Sequence, residues 1–350
     1  MQMHLHPTRR EALTASDTAL TRWSLETNPA TILAQMSTTP ERLFPLTFDP
    51  SGRMMFLGGI TGSPDGTCFA LSPLWSRDDY SAPPGGIEWR NFDDLLPVRT
   101  SEEIPNLGPE VEGLASSPDG CWLVIGSGYA EQLFLLDWQT GEIISHHATD
   151  QYNISGLTFD PTSTFLAGFI SGQGSGLLQL WRLDPAECFV PRPAVKRWPT
   201  YEPVQQDYVC GSMALTLVHR NLDAGVPWYD MEDIRGTTAF SPDSRLVIFS
   251  YHIWQGFELL AYEVVSGERL WLTSSDIEKI GPFIFSPDGS VLLVPAQSGD
   301  LLVYNAEDGA LMQRLATGLG EPVQALAFDH DGKTLWLATE EKLVQFQSQG

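Results

Sequence analysis

Short runs of apolar residues, some continuous and some alternating with polar ones, recur along the whole chain, and turn-forming residues separate them. Phe283-Ile284-Phe285 leads into the turn Ser286-Pro287-Asp288-Gly289, and Val291-Leu292-Leu293-Val294 leads out of it. The aromatic and β-branched content of such runs predicts strands rather than helices. Within the turn, proline presets the first corner, aspartate bonds back to the backbone and glycine accepts the left-handed conformation. The pattern predicts an all-β fold of short strands joined by tight turns.

The same phrase, an apolar run followed by Ser/Asp-Pro-Asp/Ser-Gly or a close variant, occurs six times. The copies span residues 46–52, 114–120, 157–163, 239–244, 284–289 and 326–332. Counted at the proline position, the steps between copies are 68, 43, 81, 45 and 43 residues, and a period in the low forties is typical of arrays of equal structural units. A second turn, which contains Gly141, Gly267 or Gly309, follows about twenty residues after the first in three of the units. Each unit therefore holds four strands, which is the blade of a β-propeller.

Two segments carry a resemblance to a known family. Leu180-Trp181-Arg182-Leu183-Asp184 and Leu136-Asp137-Trp138-Gln139-Thr140-Gly141 are similar to the end of the third strand in WD-repeat propellers, and the recurring phrase is similar to the turn after their inner strand. The family's Gly-His dipeptide is missing throughout, so its His-Ser/Thr-Asp-Trp hydrogen-bond network is not carried over. Residues 262–271 also resemble the repeat of quinoprotein-like propellers, and a TolB-like propeller shares some of these features. The resemblance implies a closed ring of blades whose loops bind other proteins.

The number of blades follows from the phrases and their spacing. Six phrases give six blades, and the 81-residue step contains the strand-like segment 212–219, which we interpret as a seventh, degenerate blade. The alternative is six blades with a long insertion. The segment 30–36 is expected to join the C-terminal blade as a closing strand and so remove its free edge. The predicted organisation is an N-terminal extension over 1–19 and a single propeller domain over 20–350, with insertions at about 76–113 and 184–236.

Charge and cysteine content narrow the classes of partner. The 20 Lys+Arg against 44 Asp+Glu give a net charge of −24, which repels phosphate backbones and anionic lipid, so nucleic acid and membrane are excluded as partners at this stage. The net negative charge either keeps the protein soluble or provides an acidic surface for a basic partner. The four cysteines, at 68, 121, 188 and 210, have no zinc-site spacing and are expected to be reduced core thiols. With no apolar run of signal-peptide length near the N-terminus, we expect a cytoplasmic monomer.

Candidate binding residues lie in the predicted loops. Gly/Ser-rich segments such as 61–66 are expected to join second to third strands, on the face where propellers usually bind. Aromatic residues make good binding anchors, so the loop residues Tyr251, His252 and Trp254 are the first contact candidates, with Tyr129 in a neighbouring loop. The insertion at 76–113 includes Trp89. The second insertion ends in Trp228, Tyr229 and Asp230, a group suited to a basic or cationic partner by cation-π contact and ion pairing.

Catalytic motifs are missing from the sequence. It contains no G-x-S-x-G elbow, no H-E-x-x-H pair and no EF-hand-like loop, and no cofactor or metal is expected. The sequence therefore favours a non-enzymatic scaffold or adaptor that binds a protein or peptide through its loop-rich face. The alternatives are a hydrolase or lyase with a site at the channel mouth, or a sensor of a small ligand. A cluster of histidines and carboxylates in the channel would favour the enzyme, and an apolar, aromatic rim would favour the binder.

Overall fold

A computed structural model of the protein describes most of the chain. The described residues are 2–16, 19–37, 60–63, 65–71, 87–101, 111, 113–127, 132–149, 153–172, 175–185, 213–223, 237–253, 256–275 and 282–346. Within these ranges every strand is antiparallel to its neighbour, and no helix is long and apolar enough to cross a membrane.

The described strands form seven sheets that follow one another along the chain. The first six sheets have four strands each and the last has three. In chain order the strands are β1 Gln2–Leu5, β2 Glu11–Ala15, β3 Ala19–Ser24, β4 Thr31–Ser37, β5 Ile60–Gly62, β6 Cys68–Leu71, β7 Glu88–Asn91, β8 Pro97–Thr100, β9 Gly113–Ser116, β10 Trp122–Ser127, β11 Gln132–Asp137, β12 Ile143–Ala148, β13 Asn153–Phe159, β14 Phe165–Gly172, β15 Ser175–Pro185, β16 Met213–Asp223, β17 Thr237–Phe240, β18 Leu246–Ile253, β19 Gly256–Glu263, β20 Arg269–Ser275, β21 Ile284–Phe285, β22 Val291–Pro295, β23 Leu301–Asn305, β24 Leu311–Leu315, β25 Ala325–Phe328, β26 Leu335–Ala338 and β27 Leu343–Phe346. The fold is a seven-bladed, all-β propeller, as the repeat period predicts.

The recurring phrase forms the turn between the first and second strands of a blade. In the sixth blade the hydroxyl of Ser286 donates to Asp288 Oδ1 at 2.6 Å and accepts the amide of Val291 at 3.1 Å. The amide of Ser290 donates to the same Asp288 oxygen, and these hydrogen bonds lower the pKa of Asp288 to about 2. Gly289 has a φ of 74°, which is the left-handed conformation that the sequence predicts. A local side-chain network therefore shapes each turn, which explains why the phrase repeats.

The first blade uses a different residue for this turn, whereas the second carries a further copy of the phrase, Ser63-Pro64-Asp65-Gly66. In the first blade His6 replaces serine, and its Nδ1 accepts the amides of Thr8 and Arg9 at 3.1 and 3.0 Å. In the second blade the turn contains Ser63 and Asp65, whose side chains are 2.6 Å apart. The interpretation of segment 61–66 as a second-to-third loop is therefore wrong, because Ser63 follows the first strand of its blade. The phrase at 46–52 lies outside the described residues.

The seventh blade lies at the N-terminus. Residues 2–37 supply all four strands of the first blade, so most of the predicted extension over 1–19 is part of the ring. The strand that we assigned to a degenerate blade is instead β16, which pairs with β15 as the fourth strand of the fourth blade. The prediction of seven blades is confirmed, whereas the predicted position of the degenerate one is wrong. The first blade was missed because its turn has histidine where the phrase has serine or aspartate.

The blades pack face to face around a common axis. The first strands of the first six blades, β1, β5, β9, β13, β17 and β21, each contact the next one in this order. The first strand of the last blade, β25, contacts β1. Between the last and first blades, Trp23 and Trp336 belong to one buried cluster. The segment expected to close the ring by joining the last blade is β4, which pairs with β3 instead. Within the segment 30–36, the amide of Ala30, just before β4, donates to Leu343 O of the last blade at 2.9 Å.

Candidate functional site

The two faces of the ring differ in what they present. Because the strands are antiparallel, the first-to-second and third-to-fourth turns of every blade lie on one face, which we call the turn face. The second-to-third loops and the connections between blades lie on the other. Two cavities of the described structure, each of about 600 Å³, open on the turn face.

The first cavity, which we call the mouth, surrounds the ring axis. It has a volume of about 590 Å³ and is bounded by the first strands and turns of the third to seventh blades. The same position of each first strand contributes an aromatic ring in four blades, and the turns contribute prolines. These lining residues are Phe159, Phe240, Phe285, Phe328, Pro118, Pro161, Pro242 and Pro287. Since Phe328 is only half-buried whereas the other three rings are buried, the seventh blade offers the most aromatic surface to a ligand.

The chemistry of the mouth is apolar. Thr158 and Ser286 are the polar residues of its lining, and among the described residues no histidine, cysteine or carboxylate contributes to it. Across the described part of the chain, no three His, Cys, Asp or Glu side chains are grouped closely enough to hold a metal ion. The described lining of the mouth is therefore apolar and aromatic. It is suited to bury apolar side chains of a partner.

The second cavity, which we call the groove, lies between the second and third blades. Trp89 and Trp138 form its wall, with ring centroids 6.3 Å apart at an angle of 78°. The guanidinium of Arg99 lies over the Trp89 ring, 3.9 Å from its centroid, and Nη2 donates to Trp138 O at 2.7 Å. Desolvation in the groove lowers the pKa of Arg99 from its usual value. The Arg99 guanidinium is thus held in the groove by stacking on Trp89 and by one hydrogen bond.

Carboxylates and a thiol complete the lining of the groove. The Ser63 hydroxyl and the Thr67 amide hold the pKa of Asp65 below its ordinary value, so its carboxylate is ionised at neutral pH. Cys68 is half-buried in the lining. Cys121, predicted to be a core thiol, is exposed, and partial desolvation together with the neighbouring Asp119 raises the pKa of its thiol.

The binding residues predicted from the sequence lie almost entirely outside the described residues. This applies to Tyr129, Trp254, Trp228, Tyr229 and Asp230. Tyr251 and His252 lie at the end of β18, where their backbones pair with Glu258 and Phe257. That end of the blade is opposite the turn face. Their role in binding therefore stays a prediction.

Sequence reasoning missed both cavities, although it contained a signal for each. The phenylalanines of the mouth are part of the recurring phrase, which is interpreted from the sequence as a turn between strands. For the groove, Trp89 was singled out within the 76–113 insertion, of which residues 87–101 form β7 and β8 with the connecting turn. The pairing of Trp89 with Arg99 depends on strand register, which the sequence pattern did not specify.

Comparison with known proteins identifies the fold and no family. No family model matches the sequence, and no curated protein matches it. By structure, 1420 solved chains are similar, so the architecture is a common one and does not by itself indicate a function. One is a chain in a crystal structure of the mitotic checkpoint complex, with a TM-score of 0.60 and 13% sequence identity over 96% of this chain and 86% of that one. At this identity the likeness is one of fold alone.

Proposed function

We propose that the protein is a non-enzymatic, WD-repeat-like propeller that binds a protein or peptide and acts as a scaffold or adaptor. The apolar mouth on the turn face is the observation that carries the proposal. A cavity of about 590 Å³ lined by phenylalanine and proline accepts the apolar side chains of a partner segment. The structurally similar chain belongs to a multiprotein complex, which agrees with a role in assembly.

The energetics of the mouth suit a moderate, reversible contact. Burying one large apolar side chain contributes about 1.5–3 kcal/mol, and part of this is offset by the lost freedom of the partner. Two such anchors from one short segment fit within a cavity of about 590 Å³. The rest of the affinity has to come from the residues that flank the anchors.

The net charge of −24 indicates what those flanking residues are. A field of this sign accelerates the approach of a basic segment and slows an acidic one, and salt screens the effect. The partner segment is therefore apolar at its centre with lysine or arginine on its flanks. Its association rate should fall as ionic strength rises.

The experiment selects peptides from a random display library against the purified protein and measures their affinities for two variants. Ala327→Asp places a carboxylate in the mouth at a half-buried position of β25. Val265→Asp is the matched control, because Val265 is 77% exposed and does not line the mouth. We expect the selected peptides to carry an apolar centre with basic flanks, to bind Ala327→Asp at least tenfold more weakly, and to bind Val265→Asp like the unaltered protein.

The outcomes that contradict the proposal are distinct. If no peptide is enriched, the propeller is not a peptide binder. If enriched peptides bind Ala327→Asp and the unaltered protein equally, the mouth is not the contact. In the second case Tyr251 and Trp254, the first candidates from the sequence, become the alternative contact, and Tyr251→Ala with Trp254→Ala then tests them on the same peptides. Equal unfolding temperatures of all variants establish that folding is intact.

A further inference from the structure

Neighbouring blades are joined on the turn face by the same type of hydrogen bond. In the fifth blade the indole Nε1 of Trp271 donates to Ala306 O of the sixth blade at 3.0 Å. In the second blade Arg99 Nη2 donates to Trp138 O of the third blade at 2.7 Å. In each case the acceptor is the first residue of a third-to-fourth turn. We call this contact the latch.

Trp271 and Arg99 occupy equivalent positions. Each lies on the fourth strand of its blade, where Trp271 pairs with Ala261 and Arg99 pairs with Trp89 of the third strand. In both blades the strand register shifts by one residue directly after this pair. The glycine of the next blade's turn has a positive φ in both cases, and a ring of the preceding blade covers it. Trp271 covers Gly309, whereas Trp89 covers Gly141 beside Arg99. The two interfaces therefore share one architecture and differ in the latching side chain.

The latch needs one neutral N–H group, as Trp271 demonstrates, but Arg99 brings a full positive charge. Among the described residues Arg99 forms no ion pair with a carboxylate, and its Nε is buried without a hydrogen-bond partner. Stacking on Trp89 and the nearby charge of Asp137 offset part of the cost of desolvating this cation, but desolvation outweighs the neighbouring charges and lowers the pKa of Arg99. The cost is unexplained by the latch, because the same position holds an indole elsewhere in the ring.

An anion in the groove would compensate this charge. The groove has a volume of about 600 Å³, enough for a small organic molecule rather than a single ion. Val98, which is 64% exposed, and the half-buried Cys68 give it apolar lining for the body of a ligand. Asp65 and Asp119 also line it, and their charges oppose a dianion such as a phosphate monoester more strongly than a monocarboxylate, while they can accept N–H donors. A guanidinium matches the planar geometry of a carboxylate.

We propose that the groove between the second and third blades binds a small monocarboxylate that has an apolar body and an N–H donor, with the Arg99 guanidinium as its anchor. The site is separate from the mouth and does not rest on the proposed function. A free carboxylic acid and the C-terminus of a peptide share this chemistry. The experiment below distinguishes these two sources.

Isothermal titration calorimetry with hippurate (N-benzoylglycine) tests the proposal, since this probe carries a carboxylate, an amide N–H and an aromatic ring. Its neutral analogue hippuramide should bind at least tenfold more weakly. A second arm uses an N-acetylated octapeptide ending in phenylalanine, with a free or an amidated C-terminus. Tighter binding of hippurate points to a free acid as the natural ligand, and tighter binding of the free-acid peptide points to a chain terminus.

Variants at Arg99 separate the anchor from the latch. Arg99→Gln keeps an N–H donor for Trp138 O but removes the charge, and should weaken carboxylate binding at least tenfold. Arg99→Lys keeps the charge without the planar fork and should fall between the two. Gln313→Ala, at the equivalent position of the sixth blade, is the control and should bind like the unaltered protein. The proposal is overturned if neither carboxylate probe binds, or if Arg99→Gln binds them as tightly as the unaltered protein does.

Discussion

The side-chain amide of Asn28 pairs with the backbone of Gln345 in both directions. Asn28 Nδ2 donates to Gln345 O at 3.2 Å, and the amide of Gln345 donates to Asn28 Oδ1 at 3.0 Å. A carboxamide presents the same donor and acceptor as a peptide group, so Asn28 takes the place of one residue of a fourth strand in the last blade. Ala30 adds a further hydrogen bond to Leu343. The outer edge of β27 is covered by this short clasp.

Removing the clasp should loosen the ring at the junction of the first and last blades. We expect Asn28→Ala to lower the free energy of unfolding by about 1 kcal/mol, because two solvent-accessible hydrogen bonds to the backbone are lost. Asn28→Asp keeps the acceptor but places a carboxylate oxygen against Gln345 O, so it should destabilise the protein at least as much as Asn28→Ala. Urea unfolding followed by fluorescence measures both. A stability of Asn28→Ala equal to that of the unaltered protein would show that the clasp contributes nothing.

Stability should fall in mild acid because of His4. Its ring lies against Gly62 of the second blade, its Nε2 is buried without a partner among the described residues, and burial followed by the charge of His6 lowers its pKa from 6.5 to about 4. Below pH 6.5 the unfolded chain takes up a proton that the folded protein excludes. The free energy of unfolding therefore falls between pH 6.5 and about 4, by at most about 1.4 kcal/mol per pH unit from this group.

The measurement compares His4→Leu with the unaltered protein by urea unfolding at pH 7.5 and at pH 5. The variant lacks the titrating group, so its loss of stability between the two pH values should be smaller by about 1–2 kcal/mol. His4 would have no part in the acid response if both proteins lost the same amount.

A side chain at Gly309 should disturb the interface of the fifth and sixth blades. Gly309 has a φ of 70°, and an added Cβ would lie 2.5 Å from the Trp271 ring. Gly320 has nearly the same φ, 69°, but an added Cβ there would meet nothing within 4 Å. Gly320→Ala therefore isolates the backbone strain, about 1 kcal/mol, and Gly309→Ala adds the steric clash.

We expect Gly309→Ala to lower the free energy of unfolding by about 1–3 kcal/mol more than Gly320→Ala does. Thermal and urea unfolding of the pair measure the difference. Equal losses for the two variants would mean that the packing of Trp271 over the turn has no energetic role.

The parts of this fold that could be predicted from the sequence are the local ones. The turn around Ser286 and Asp288 depends on hydrogen bonds within a few residues, so the phrase predicts both the turn and the strands on either side of it. His6 performs the same role with a ring nitrogen, which the phrase does not include, and the first blade went unrecognised as a result.

The two cavities depend on contacts between residues far apart in the chain. Arg99 reaches Trp138 only because a register shift in the second blade turns its side chain towards the third. The phenylalanines of the mouth are visible in the sequence, but their convergence follows from closing seven blades into a ring. Aromatic content alone directed attention to loops such as 251–257 and away from the turn face.

The clasp also sets a limit on the order of folding. Asn28 and Gln345 are separated by 317 positions, so a chain growing on a ribosome completes the second to sixth blades before the partner of Asn28 exists. Until then the first blade lacks the neighbour that buries Trp23 against Trp336. Contacts this distant in sequence form slowly, and until they form the first blade keeps an unpaired interface. The nascent chain can therefore close into a ring only after β25 to β27 have been synthesised.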